Sequence, residues 1–175
     1  MKKLKLFALS LITAAGLAGC GEDKIVTEKE TSKFNSTLTL TTQPVNPLSV
    51  VEARAKVSKG TPVIVIGDIG ARVPPFVGNR AAFILADENK ITSCDKVHGD
   101  RCKAPWDYCC EDPKAIAQSI LVIQVLDDNN KVIKQTLKGW NSLKELSKVI
   151  IEGTYDKTST EANVIINATG MYKVK

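Results

Sequence analysis

The sequence predicts a mainly β domain: a small five-stranded barrel with a helix ahead of it and a cysteine-rich insertion between its second and third strands. Three observations lead there. Five apolar runs, β-branched or alternating, are separated by turn signals. Helical start signals are confined to two short segments. Four of the five cysteines fall within 17 consecutive residues of the longest polar stretch.

The elements follow in chain order. Asn46 and Pro47 read as N-cap and first helical residue, with Leu48, Val51 and Ala55 on one face and Gly60 at the C′ position. Residues 63–69 are β-branched and continuous enough for a strand buried on both faces, with Gly67 marking a bulge or tight bend. A loop with Pro74, Pro75 and Gly78 leads to a second strand at 81–87. The insertion, about 89–118, precedes a third strand at 119–127. Asp128, Asn129 and Asn130 form a turn, and 131–137 alternates as a short extension. Ser142 and Glu145 have capping-box spacing and open a short helix through Ser147. The last two strands are 149–155 and 163–174. Upstream, 36–42 alternates and is expected to add an edge strand.

Three local patterns accompany this order: Gly60-x-x-Val63-x-Val65-x-Gly67-x-Ile69, Phe83-x-Leu85-x-Asp87 and Val149-x-x-x-Gly153. Together they cover most of 58–175, and the whole resembles the OB-fold, a five-stranded barrel with a helix between its third and fourth strands. The resemblance implies a barrel face of the kind that takes oligonucleotides or oligosaccharides, and it implies no catalytic activity. Contact residues on that reading are Arg72 and Arg80 in the first loop, Phe83 on the second strand, and Trp106 and Tyr108 in the insertion. Packing of the insertion onto the barrel is the plainer role for Trp106 and Tyr108.

Residues 1–19 follow the grammar of an export signal. Lys2, Lys3 and Lys5 make a basic start, and an apolar stretch too short to span a bilayer follows. Leu17-Ala18-Gly19-Cys20 resembles the lipobox of bacterial lipoproteins, which implies cleavage before Cys20 and diacylglyceryl attachment to its sulfur. Such chains hold a protein to a membrane at about 0.8 kcal/mol per buried methylene. Gly21, standing where an Asp favours inner-membrane retention in such proteins, points to the outer membrane, facing the periplasm. Residues 20–45 are expected to be the lipidated cysteine and a flexible tether, and 46–175 the domain.

Without those three lysines the chain carries 21 basic and 19 acidic groups, a balance of +2. That leaves no electrostatic case for nucleic acid, whose binding rests on neutralised phosphates. No Ser–His–Asp set can be built around the single His98, and Gly67-Asp68-Ile69-Gly70 lacks the Lys-Ser/Thr of a phosphate loop. Asp127-Asp128-Asn129-Asn130 lacks the spacing of a calcium loop. A non-catalytic protein is expected.

The insertion carries Cys94, Cys102, Cys109 and Cys110 with His98 and Trp106. In an oxidising compartment an even cysteine count favours two disulfides, each constraining the unfolded chain by about 2–4 kcal/mol. Bridging the neighbours Cys109 and Cys110 would strain the ring. Each is therefore expected to pair with Cys94 or Cys102, leaving two connectivities. The alternative is a Zn or Cu site built from Cys94, His98, Cys102 and one of Cys109 and Cys110, although no C-x-x-C pair is present. A redox-active thiol pair is a further alternative. The expectation is thus a membrane-anchored binding or adaptor module of the cell envelope, its loop stapled by disulfides, needing no cofactor and meeting the membrane through its lipid. Another envelope protein is the partner to look for, and metal or thiol chemistry at the loop is the competing reading.

Overall fold

The computed structural model describes residues 33–99 and 101–175. The expected signal segment, Cys20 and the first part of the expected tether lie outside the described residues. Six strands form one sheet: β1 (Leu48–Ser49), β2 (Pro62–Ile69), β3 (Ala82–Ala86), β4 (Ile120–Gln124), β5 (Lys148–Tyr155) and β6 (Ile165–Lys173). Five of them close on themselves in the order β2-β3-β4-β6-β5, with β5 returning to β2 from Pro62↔Thr154 to Asp68↔Lys148. β4 and β6 run parallel at Val122↔Ile165, and the other barrel pairs are antiparallel. The architecture is a small closed barrel, consistent with the OB-like fold.

β3 reaches β2 only at Asp68↔Ala86 and Ile69↔Leu85. The extra strand β1 pairs parallel with the same edge lower down, at Leu48↔Val65 and Ser49↔Ile66. It satisfies backbone groups that β3 leaves as it diverges. Because β1 claims Leu48 and Ser49, the first helix, α1 (Val50–Ala55), starts later than the Asn46-Pro47 signal implies. Ser49 is the N-cap and forms a complete capping box with Glu52. Asn46 instead takes φ 52° in the turn before β1. Gly60 does not end the helix either: Lys56 is the C-cap, and Gly60 turns the chain at φ 77° into β2, donating to Tyr155 O at 2.8 Å. The Tyr155 hydroxyl donates to Ala53 O at 2.7 Å, so α1 is tied to the barrel wall while Val50 and Ala53 are fully buried.

The interior is lined by Val63, Val65, Phe83, Leu85, Leu121, Ile123, Val149, Ile151, Ile166 and Met171. Full burial of each such side chain contributes about 1.5–3 kcal/mol. Phe34 and Leu38 join the same core, Phe34 against Trp140 edge-on at 5.2 Å between ring centres. Packed structure therefore begins well before residue 46, inside the stretch expected to be tether. The expected edge strand at 36–42 is a 3-10 turn, Ser36–Leu38, followed by a single bridge, Thr39↔Met171.

Between β4 and β5 the expected extension at 131–137 is a single bridge, Leu126↔Val132. The Asp127 turn is as expected, its Oδ1 accepting from Asn129 N and Lys131 N, each at 2.9 Å. The helical turn between these strands is 3-10, Trp140–Ser142, and no α-helix opens at Ser142. Ser142 and Leu146 sit at φ 58° and 61°, and left-handed residues cannot propagate a right-handed helix. Burial of Leu137 and Leu143 beside Trp140 fixes that path against the capping-box signal.

Gly67 lies in regular register with Val149, so of the bulge or tight bend expected there it is not a bulge. The irregularity is on β5, between Glu152 and Gly153. Gly67 serves close approach instead: a Cβ there would stand 2.5 Å from Ala86 O and 2.9 Å from Leu85 Cγ.

Candidate functional site

Burial along β2 alternates through Val63 and Val65, and then Gly67, Asp68 and Ile69 are all buried. Strand alternation should expose one face. The outer face at this end is covered by the cysteine insertion, so burial on both faces, expected for the whole strand, holds only here. The insertion folds onto the barrel. Ala71 N donates to Trp106 O at 3.0 Å, and Tyr108, 1% exposed, fills a small second core with Ala71, Ala86 and Ile91. A short helix not foreseen in the sequence, α2 (Pro113–Gln118), closes the insertion, capped by Asp112 and flanking this core with Ala115 and Ile116.

Two backbone hydrogen bonds set the thiol geometry. Cys94 N donates to Asp107 O at 2.9 Å and Asp95 N to Pro105 O at 3.0 Å, folding the loop back on itself. The 3-10 turn Cys94–Lys96 then faces the segment that ends in Cys109. Cys94 Sγ lies 3.5 Å from Cys109 Sγ, and Cys102 Sγ lies 2.9 Å from it. The sulfurs of Cys94, Cys102 and Cys109 all fall within 4.8 Å of one another.

These separations show no formed bridge of the expected staple. A disulfide needs about 2.05 Å between sulfurs, and none of the four cysteines is in one. Cys94 and Cys102 both approach Cys109. Of the expected metal set, Cys94, Cys102 and Cys109 come together, whereas His98 is exposed and outside the group.

The three thiols differ in setting. Cys94 is 2% exposed, Cys102 is half-buried and Cys109 is exposed. Burial, with the hydrogen bond to Cys109 second, pushes the Cys94 thiol up to about 11. Hydrogen bonds with Cys102 and Cys94 hold Cys109 below the ordinary thiol value. Negative charge on sulfur is thus favoured at the exposed corner.

The turn bearing Cys94 is fastened to the barrel by ions. Lys96 Nζ lies 3.5 Å from Asp68 Oδ2 and 3.8 Å from Glu88, which Lys148 of β5 meets at 2.5 Å. The Ser93 hydroxyl is bonded to the Asp95 carboxylate. Among the described residues, Asp68 Oδ1 and Trp106 Nε1 are the buried side-chain polar atoms without a hydrogen-bond partner, one on each side of the seam. An acid inside the apolar run of β2 was a legible signal for Asp68. Glu88 and Lys148 carried none, since their pairing exists only once β5 lies beside β2.

Burial, with Glu88 next to it, raises the Asp68 pKa despite Lys96 and Lys148, and Tyr108 adds no positive charge. An acid raised on folding takes up protons as the chain folds. Its charged form therefore subtracts stability as pH rises from the unfolded value near 3.8 through the folded one, and subtracts nothing below both. Asp68→Asn is expected to be more stable than the parent at neutral pH and indistinguishable from it near pH 3. Urea melts of both proteins across that range check this, and a variant destabilised at pH 7 would show that the lysines outweigh desolvation.

The other contact candidates separate. Arg72 and Arg80 are exposed in the β2–β3 loop. Phe83 is completely buried in the barrel, tilted against Phe76 at 5.8 Å, and presents no face to a ligand. Trp106 is half-buried and Tyr108 buried, both seating the insertion.

The fold and site together define a small closed β-barrel bearing a three-thiol insertion on its outer face. The chain matches no family model, no curated protein sequence and no solved structure.

Proposed function

We propose that this chain is an exported, lipid-anchored envelope protein in which the barrel is a non-catalytic scaffold and the insertion binds a thiophilic metal ion. The observation that carries the reading is the convergence of Cys94, Cys102 and Cys109 within 4.8 Å, with no two sulfurs at bonding distance. Soft thiolates select ions such as Cu⁺ and Zn²⁺. Insertion and barrel share a dedicated core and an ion-pair seam, so the donors are positioned before a metal arrives. The export signal and the Leu17–Cys20 lipobox support attachment to a bacterial membrane through Cys20. The near-neutral charge speaks against nucleic acid as partner.

The experiment uses the full chain, exported, extracted in detergent and split between elemental analysis and thiol alkylation without reductant. Stoichiometric metal, with thiols that alkylate only after chelation, is the expected result. A second reading rests on the 2.9 Å between Cys102 and Cys109, from which a small side-chain rotation and thiol–disulfide exchange with an oxidised dithiol carrier, which takes up the two electrons and two protons, make a disulfide. In that case the stapled insertion acts as a rigid surface for another envelope protein. Metal-free protein in which Cys102 and Cys109 alkylate only after reduction, while Cys94 and Cys110 alkylate on unfolding alone, would overturn the metal reading in favour of the staple.

A further inference from the structure

We infer that the ion is monovalent copper, held in a three-sulfur site and exchanged through its exposed Cys109 corner; this rests on the metal-binding reading above. Three features of the site select it.

The first is the number of donors. Structural zinc takes four ligands in a tetrahedron. Among the described residues only three sulfurs form the group, and no imidazole or carboxylate joins it. The described carboxylates closest to these cysteines along the chain have other partners: Asp95 accepts from the Ser93 hydroxyl, Asp107 Oδ1 from Tyr108 N at 2.8 Å and Glu111 Oε1 from Thr92 N at 2.8 Å. His98 is exposed and stands apart. Thiolate-only coordination without a fourth ligand suits a soft d10 monovalent ion.

The second is spacing. With metal–sulfur bonds of about 2.3 Å, a planar three-sulfur site separates its sulfurs by about 4 Å. The three sulfurs already lie within 4.8 Å, two of the separations being 3.5 and 2.9 Å. Small rotations of Cys102 and Cys109 open the triangle, and the buried Cys94 stays where its backbone bond to Asp107 holds it.

The third is access. The donors run from buried Cys94 through half-buried Cys102 to exposed Cys109. A structural metal is enclosed on every side, whereas this triangle is open at one corner. An incoming thiolate or thioether can take the ion there by displacing Cys109 first. On loading, each thiol that ligates gives its proton to solvent, and copper stays Cu(I) throughout.

The test uses the full chain in detergent, reduced, freed of reductant and kept anaerobic. It is titrated separately with Cu(I) as its coloured bathocuproine complex and with Zn²⁺ against a chromogenic indicator. The expected result is removal of one Cu(I) per chain from the dye, with X-ray absorption giving three sulfur neighbours and no nitrogen. Cys109→Ser, at an exposed position that leaves the fold intact, abolishes this, and Cys110→Ser retains it. Stoichiometric four-coordinate Zn²⁺ with Cu(I) left on the dye would overturn the copper assignment and leave the metal reading standing. Equal loss in Cys110→Ser would overturn the three-sulfur set. Failure of the reduced protein to bind either ion would overturn both.

Discussion

Tyr108→Ala is expected to release the cysteine insertion from a barrel that stays folded. The ring is 1% exposed and is the one aromatic side chain among the buried residues of the second core, grouped with Ala71, Ala86 and Ile91 and packed close to Gly70. Truncating a buried aromatic to alanine costs about 3–5 kcal/mol. That loss falls locally, because the barrel core shares no residue with the second cluster. Without the ring, the bonds Ala71 N to Trp106 O and Cys94 N to Asp107 O lose the burial that shields them. The Cys94 turn and the Cys109 segment then separate, and the proposed metal binding is lost though no sulfur has been removed. Amide exchange should show protection vanishing over about 92–118 while β2 and β5 keep theirs. Tyr108→Phe, which preserves the ring, should retain both protection and binding. Uniform loss of protection through barrel and insertion would show that the two cores form one cooperative unit.

The second large effect belongs to Gly67→Ala. A methyl group there meets Ala86 O at 2.5 Å, Leu85 Cγ at 2.9 Å and Val50 Cγ2 at 3.1 Å. The first of these is backbone and cannot rotate away, so β2 and β3 must move apart where only two residue pairs join them. Overpacking of this kind costs about 1–3 kcal/mol, and the backbone obstacle places Gly67→Ala at the upper end. For a domain of this size that is a fall of about 10 °C in Tm. Gly78→Ala is the control, since nothing lies within 4 Å of its Cβ and its φ needs no glycine. A melting temperature for Gly67→Ala matching that of the control would mean that the two strands are not held as closely as described.

All five barrel strands were legible because each is an apolar run bounded by turn residues, and burial of Val63, Val65, Phe83, Leu85 and Ile151 follows from that pattern alone. Helix boundaries were less legible. The Asn46-Pro47 signal is chemically sound, yet pairing of Leu48 and Ser49 with Val65 and Ile66 outweighs it. The Ser142–Glu145 spacing fails likewise, since burying Leu143 holds Ser142 at positive φ. In both places a tertiary contact outweighs a local preference worth about 1 kcal/mol.

The site divides along the same line. Sequence by itself determined the barrel, the position of the insertion and the clustering of its cysteines, because all are written in local composition and spacing. Only the tertiary structure decided which sulfurs meet. Cys94 and Cys109 are 15 positions apart, and their contact depends on a loop folded back through Asp107 and Pro105 and pinned by Tyr108. The Asp68–Lys96–Glu88–Lys148 seam is of the same kind, joining β2, the insertion and β5. Such pairings carry no local signature, since the free energy that forms them comes from surfaces that exist only after the chain has folded.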